Sequence, residues 1–176
     1  MAWSTPYSPT TGDVVSAANL TTYKDDLTYL QARKGARVYK GVAQTIATAT
    51  GTAIQFGASD TESYDPLAMH DPVTNNTRLT VPTGYDGIWI VVGILGWAAN
   101  ATGRRITSIF KNGVEVAQIQ APTLAAGQNP TYTVTYVGAC VASDYFELRG
   151  FQDSGGNLNT LATEQTVSLA AHWLSA

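Results

Sequence analysis

The sequence has few of the residues from which disulfides, zinc sites and nucleic-acid interfaces are built. Cys140 is the only cysteine among 176 residues, so neither a disulfide within the chain nor a cysteine-based zinc site can form. Charged residues make up 13% of the chain, and 13 acidic against 10 basic side chains leave a net charge of -3 with no basic stripe. Because a nucleic-acid partner requires basic groups that neutralise several phosphates, we expect none.

Long apolar segments and targeting signals are also missing. The longest apolar run covers residues 88–99, well short of the roughly 20 residues that a membrane-spanning helix needs. Residues 1–12 have neither the positive charge nor the apolar stretch of a secretory signal. We therefore expect no membrane span, and synthesis and folding in a cytoplasm.

Catalytic motifs are scarce as well. The two histidines, His70 and His172, are about a hundred residues apart, which does not match the spacing of a zinc site. The QDSGG segment resembles the surroundings of a serine-protease nucleophile, but His172 follows Ser154, whereas the histidine precedes the serine in the chymotrypsin-like family. A turn rich in serine and glycine explains this segment. We expect no catalytic residue, no cofactor and no enzymatic activity.

The N-terminal part divides into an arm and a helix. Residues 1–12, with three turn-forming Pro and Gly residues, predict an extended attachment arm in which Trp3 and Tyr7 could dock on a partner. Residues 13–35 predict a helix of about 18 residues that Asp13 or Ser16 caps and that ends near Gly35. Its apolar stripe, spaced by three, four and three residues, consists of Leu20, Tyr23, Leu27 and Leu30. The stripe packs either on its own domain or on copies of itself in a short stem.

From residue 36 to 176 the pattern changes to a period of two with frequent turn signals, which predicts an all-β, antiparallel jelly-roll β-sandwich. Asn112-Gly113 between two alternating segments predicts a type I′ hairpin. Cys140 lies in an alternating segment and is predicted to be a buried apolar residue. The predicted strands are 37–43, 52–56, 77–81, 87–99, 104–111, 114–120, 131–141, 145–152 and 166–174.

The strand predicted at 87–99 is apolar on both faces over residues 88–99. A strand with one face in water alternates apolar and polar residues, so something must cover its second face. A loop of the same chain could do so, but we favour identical subunits, because the helical stripe independently requires a partner. The predicted interface residues are Trp89, Val91, Leu95 and Trp97.

Residues 63–87 concentrate polar turn formers. Asp65, Asp71 and Asp86 could hold calcium with backbone carbonyls, but no EF-hand loop is present and aspartate beside proline is an ordinary turn former, so we predict no metal site. Aromatic residues beside amides could instead form a glycan-binding loop, although such residues populate any β-loop. The candidate ligand residues are Tyr64, Asn75, Asn76 and Tyr85.

Several segments together resemble a known family. RVYKGVAQTIATATGTAIQF, YDPLAMHD, NNTRLTVPTGYDGIWIVVG, FKNGVEVA, TYTVTYVGACVASDYFEL and VSLAAHWL follow the order of the C1q/TNF-like jelly roll. More narrowly, they are similar to its bacteriophage version. The preceding GDVVSAANLTTYKDDLTYL resembles an N-terminal segment of phage virion proteins, with Thr21 where asparagine is common. The resemblance spans residues 12–174.

The resemblance implies a homotrimer whose first, last and central apolar strands face the threefold axis, on a short helical stem. It further implies a non-enzymatic virion component, a capsid decoration, head fibre or tail fibre, assembled in the host cytoplasm and displayed on the virion surface. The arm would contact capsid, neck or tail proteins, and the knob could adhere to host cell-surface glycan. His70 and Asp71 would hydrogen-bond loop backbone. The alternatives are a stand-alone bacterial lectin-like glycan-binding module and, less favoured, an enzyme acting on surface polysaccharide.

Overall fold

A computed structural model describes residues 10–12, 15–31, 34–122, 125 and 127–176, with the side chains of 29–31 outside the description. The chain divides into two compact units, Met1–Arg33 and Lys34–Ala176. The predicted arm residues Trp3 and Tyr7, and the side chain of Leu30, lie outside the described part. The extended arm therefore stays a prediction.

The first unit contains the predicted helix, α1, at Ala17–Gln31. The Ser16 hydroxyl accepts a hydrogen bond from the Asn19 amide at 3.2 Å, as an N-cap residue does, which confirms one of the two predicted caps. In the stripe, Leu20 and Leu27 are 59% and 58% exposed and Tyr23 is half-buried. The helix ends at Gln31, and Gly35 begins a strand, Gly35–Tyr39, instead of marking the predicted helix end.

The second unit is built from antiparallel strands. Asn112 and Gly113 have φ of 51° and 79°, which confirms the predicted type I′ turn between the strands Arg104–Lys111 and Val114–Pro122. The strands are β1 Gly35–Tyr39, β2 Thr45–Ile46, β3 Thr52–Ala53, β4 Thr61–Tyr64, β5 Arg78–Thr80, β6 Gly87–Gly96, β7 Arg104–Lys111, β8 Val114–Pro122, β9 Thr131–Cys140, β10 Tyr145–Gln152, β11 Leu158–Asn159 and β12 Val167–Ser175.

Two sheets form a β-sandwich. Sheet I has the strand order β4-β1-β12-β6-β9, and sheet II has the order β3-β10-β7-β8 with β5 also paired to β10. The first and last strands of the unit are neighbours, since Gly35 of β1 pairs with His172 of β12. Strands that are distant in sequence therefore meet at the centre of sheet I, as in a jelly roll.

The core lies between the sheets. It contains large side chains from both inner faces, which fill the roughly 10 Å space between packed sheets. Cys140 is 3% exposed, which confirms the prediction that it is a buried apolar residue. Fully buried members are Phe56, Leu79, Trp89, Trp97, Ile109, Phe146, Leu148 and Leu169.

Candidate assembly face on sheet I

The two faces of β6 have opposite environments. Trp89, Val91, Leu95 and Trp97 are 0% exposed in the single chain and belong to the core between the sheets. Side chains that already fill the core of one subunit cannot contact another subunit. The prediction that these four residues form the subunit interface is therefore wrong. The predicted two-sided apolar character of the strand is correct.

The opposite face of β6 points away from the core. Ile88 is 37% exposed, and three further branched residues on this face are half-buried. Ile90 lies between His172 of β12 and the 56% exposed Val137 of β9. The assembly face is defined by this apolar set, which consists of Ile88, Ile90, Val92, Ile94, Val137 and Ala170.

Paired polar groups border the assembly face. The Tyr64 hydroxyl and the His172 Nε2 atom are hydrogen-bonded, and their rings are 5.4 Å apart. Arg37 pairs with the Glu164 carboxylate at 3.1 Å and donates to the Glu164 backbone oxygen at 3.1 Å. Because these four polar side chains have partners within the chain, covering that side of the face would not leave them unsatisfied. The arrangement suits burial against another apolar surface.

The predicted glycan-loop residues make separate contacts. Tyr64 bonds to His172, whereas the Tyr85 ring packs edge-on against Trp173 with 5.9 Å between ring centres. The backbone oxygens of Asn75 and Asn76 accept hydrogen bonds from the amides of Arg78 and Phe56, at 3.0 and 2.6 Å. These contacts fix the loop and leave its glycan binding a prediction.

The acidic residues of segment 63–87 cap different turns. Asp65 accepts hydrogen bonds from the amides of Met69 and His70 at 2.9 and 2.8 Å. Asp71 accepts from two amides in the next turn, at 2.9 and 3.0 Å, and these bonds hold the pKa of Asp71 below its usual value. Asp86 accepts from the Ala142 amide at 2.7 Å. Among the described residues, no group of three or more His, Cys, Asp or Glu side chains is placed to hold a metal ion.

His70 differs from its predicted role. Asp71 hydrogen-bonds loop backbone as predicted, but the His70 imidazole pairs through Nδ1 with the Glu62 carboxylate at 2.7 Å. The ring is 2% exposed and lies edge-on to Phe56. The bond to Glu62, whose side chain is 41% exposed, satisfies Nδ1 of this buried ring, whereas its buried Nε2 atom has no hydrogen-bond partner among the described residues.

The serine and histidine considered for catalysis have different partners. The Ser154 hydroxyl donates to the Gln152 side-chain oxygen at 2.6 Å, inside the turn after β10, while His172 bonds to Tyr64. A nucleophile needs a base within hydrogen-bonding reach, and these contacts provide none for Ser154.

Sheet II carries a polar cluster that sequence reasoning missed. Glu147, only 4% exposed, accepts hydrogen bonds from Arg149 at 2.6 Å and Thr77 at 2.9 Å, and pairs with Arg78 at 3.3 Å. Burial raises the pKa of Glu147, but these hydrogen bonds outweigh burial and hold it below the ordinary value. The Arg149 guanidinium also lies over the Phe110 ring at 4.2 Å. Glu147 and Arg149 share a face because they are two residues apart on β10, whereas Arg78 and Phe110 reach them only through strand pairing, which no local spacing indicates.

Comparisons with known structures agree on the fold. No protein-family model matches the sequence, and no curated protein is significantly similar to it. Murine APRIL matches with a TM-score of 0.61 at 7% identity, covering 81% of this chain and 100% of that one. Eiger TNF from S. frugiperda matches with a TM-score of 0.57 at 9% identity, covering 82% and 94%. The globular domain of zebrafish complement 1qA matches with a TM-score of 0.53 at 9% identity, covering 81% and 98%.

These likenesses show that the chain has the C1q/TNF jelly-roll fold, as the sequence predicted. At such low identity they show the fold alone. Within the described residues, the helix is neither long nor apolar enough to cross a membrane.

Proposed function

We propose that the protein is a non-enzymatic structural component of a phage virion that forms a homotrimeric surface knob. The observation that carries the proposal is the apolar assembly face, which a single chain leaves uncovered at the centre of sheet I. Branched apolar side chains in a continuous patch mark an interaction surface. Three copies around an axis would bury the patch of each subunit against its neighbours.

The N-terminal unit supports the virion assignment. Its sequence resembles a segment of phage virion proteins. Leu20 and Leu27 are each more than half exposed to solvent in the single chain. In a short trimeric stem these side chains would become buried. Trp3 and Tyr7 would then attach the stem to capsid, neck or tail proteins, and the knob would be displayed on the virion surface after assembly in the host cytoplasm.

A trimeric knob also suits decoration or host-surface adhesion. Three identical weak sites on one particle act together, so adhesion requires no deep pocket in any subunit. The lectin-like alternative would use the same sites without the virion. An enzyme acting on surface polysaccharide would release reducing ends from host glycan.

The trimer is tested by the solution mass of the full chain, measured by light scattering. We expect three times the chain mass of 18.6 kDa. Val92→Glu should yield monomers, because it places a carboxylate in the centre of the assembly face. Val114→Glu is the matched control, since Val114 is 66% exposed on sheet II, and it should remain trimeric. A wild-type monomer, or a trimer that survives Val92→Glu, would contradict the proposed interface.

The virion role is tested by adding the purified full chain to phage particles that lack it. We expect the wild type to bind to the particles and a Trp3→Ala/Tyr7→Ala variant to bind far less while keeping its trimeric mass. Trimers that never bind to the particles, but do bind to host cells, would favour the stand-alone lectin-like module.

A further inference from the structure

The outward face of sheet II contains a small cavity of about 210 Å³. Its apolar wall is formed by three half-buried residues, Ile106, Phe110 and Phe151. Ile106 and Phe151 are direct partners across β7 and β10, so their side chains lie side by side. This face belongs to the sheet opposite the assembly face, so a trimer built through sheet I would leave the cavity open to solvent.

One polar wall of the cavity is a fixed arginine. The Arg149 guanidinium lies 4.2 Å from the centre of the Phe110 ring, and its Nε and Nη2 atoms donate to the Glu147 carboxylate at 3.2 and 2.6 Å. Within the described residues, its Nη1 atom makes no hydrogen bond. An arginine held on two sides loses little conformational freedom when its remaining N–H groups bind a ligand.

Ser108 contributes a hydroxyl to the cavity lining. The residue is 4% exposed and lies directly opposite Arg149 across β7 and β10. A hydroxyl can both donate and accept a hydrogen bond, so Ser108 can bond to a polar group that enters the cavity.

The charges around the cavity select the ligand. Glu115, an exposed carboxylate, shares the lining with the Arg149 guanidinium. A carboxylate or phosphate ligand would be repelled by Glu115, and a cationic ligand would be repelled by Arg149. A hydroxyl group of a neutral ligand can accept a hydrogen bond from the Arg149 guanidinium and donate one to the Glu115 carboxylate. The apolar wall is suited to the C–H face of a ring that carries such hydroxyls.

We propose that this cavity binds one neutral sugar unit of a surface glycan. Its volume lies below the range of about 300–1,000 Å³ for drug-sized ligands, in keeping with a single ring. The inference rests on the adhesion part of the proposed function, and gives it a site different from the loop around Tyr64 and Tyr85. Affinity for one unit should be low, with a dissociation constant on the order of 1 mM, because the cavity contacts a single ring. Three such sites acting together in the knob would raise the overall affinity.

The test measures binding of methyl glycosides to the full chain by two-dimensional NMR titration. The probes are the neutral methyl glucoside, galactoside and mannoside, with methyl glucuronide as the acidic counterpart. We expect at least one neutral glycoside to bind, with shifts centred on Ser108, Phe110 and Arg149, and the glucuronide to bind at least tenfold more weakly. No binding by any neutral glycoside, or tighter binding of the glucuronide, would overturn the proposal.

Gly51 provides a variant that adds bulk at the cavity lining without a steric clash. It lines the cavity, and a Cβ atom built on it meets no atom within 4 Å. Gly51→Leu should reduce glycoside affinity at least tenfold. Gly156→Leu is the matched control, since a Cβ atom there also meets nothing within 4 Å and the residue is outside the cavity lining, and it should bind like the wild type. Equal binding by both variants would place the sugar elsewhere and refute the site.

The light-scattering mass of the same samples separates this inference from the proposed function. A trimer that binds no glycoside would refute the sugar site and leave the knob intact. A monomer that binds a neutral glycoside in the cavity would support the site and refute the trimer.

Discussion

The buried ion pair between Lys40 and Asp60 provides a stringent test of the physical reasoning. The Lys40 and Asp60 side chains are 8% and 5% exposed, and the Nζ atom lies 2.7 Å from the carboxylate. The carboxylate also accepts from the amides of Gly41 at 2.8 Å and Gly57 at 2.9 Å, while Nζ donates to the Gln55 oxygen at 2.8 Å. The pair therefore ties the chain after β1 to the chain between β3 and β4.

Asp60→Asn should destabilise the protein strongly, because it leaves the Lys40 ammonium buried without its counter-charge. Removing one partner of a buried pair costs about 3–5 kcal/mol. For a chain of this size, each kcal/mol lowers Tm by about 2–4 °C, so the expected decrease is about 6–20 °C. The double variant Lys40→Met/Asp60→Asn should recover part of this loss, because no charge is then buried and the asparagine oxygen still accepts from backbone amides.

The assay is thermal and urea unfolding at one fixed protein concentration, because assembly makes Tm depend on concentration. The control is Arg104→Gln, which removes a pair whose Arg104 and Asp153 side chains are 49% and 33% exposed and should cost at most about 1 kcal/mol. If Asp60→Asn cost no more than Arg104→Gln, the buried pair would not hold these segments together. A double variant less stable than Asp60→Asn would refute the argument from the unpaired charge.

Three further measurements test the core, the sheet II cluster and the loop. Gly150→Ala should lower the free energy of unfolding, measured in urea, by about 1–3 kcal/mol, because the added Cβ would lie 2.9 Å from the buried Trp97 ring. An unchanged unfolding midpoint would mean that the sheets have room to separate. The hydrogen bonds of Glu147 hold its folded-state pKa below the unfolded-state pKa near 4.5. The stability that ionised Glu147 contributes is therefore fully present above pH 4.5, and it is lost as pH falls through the lower folded-state pKa. The Tm difference between wild type and Glu147→Gln should therefore shrink as pH falls from neutral to about 3, and a constant difference would contradict the linkage. Asp71→Ala should lower Tm by removing the acceptor of two backbone amides, and an unchanged Tm would show that the turn holds without it.

Strands with strong alternation or clear turn signals were predictable from sequence. The bounds of β7 at 104–111 and β10 at 145–152 agree with the prediction, and the hairpin after β7 has the expected turn. The sequence does not predict the short strands β2, β4 and β11, because two to four residues contain too little periodicity. These strands form only by pairing with segments distant in the chain. Local chemistry predicts a helix end near Gly35, but pairing with His172 places this residue in β1.

The candidate sites show a different limit. Asp71 capped its turn as predicted, because an aspartate bonding amides two and three residues on is a local interaction. The cavity on sheet II could not be predicted, because Ser108 and Arg149 meet only through the register of β7 and β10. The buried Lys40–Asp60 pair could not be predicted either, because its residues are twenty positions apart and meet only through the register of β1 and β4. The register of each strand depends on its pairing within the whole sheet, so it cannot be inferred from any short segment of the sequence.

The two faces of β6 show which residue types distinguish the core-facing side of a strand from its outward side. Both faces are apolar, so the period of two shows that each must be covered but does not say by what. The side chains themselves differ, since Trp89 and Trp97 lie on one face and the large residues of the other are all branched aliphatics. Tryptophan fills the depth between two sheets, and Gly93 on that same face allows Leu148 to approach, where a Cβ atom would be only 2.7 Å away. Isoleucine and valine have few rotamers to lose on burial, which makes the face with Ile90 and Val92 the one suited to close after folding, when subunits meet.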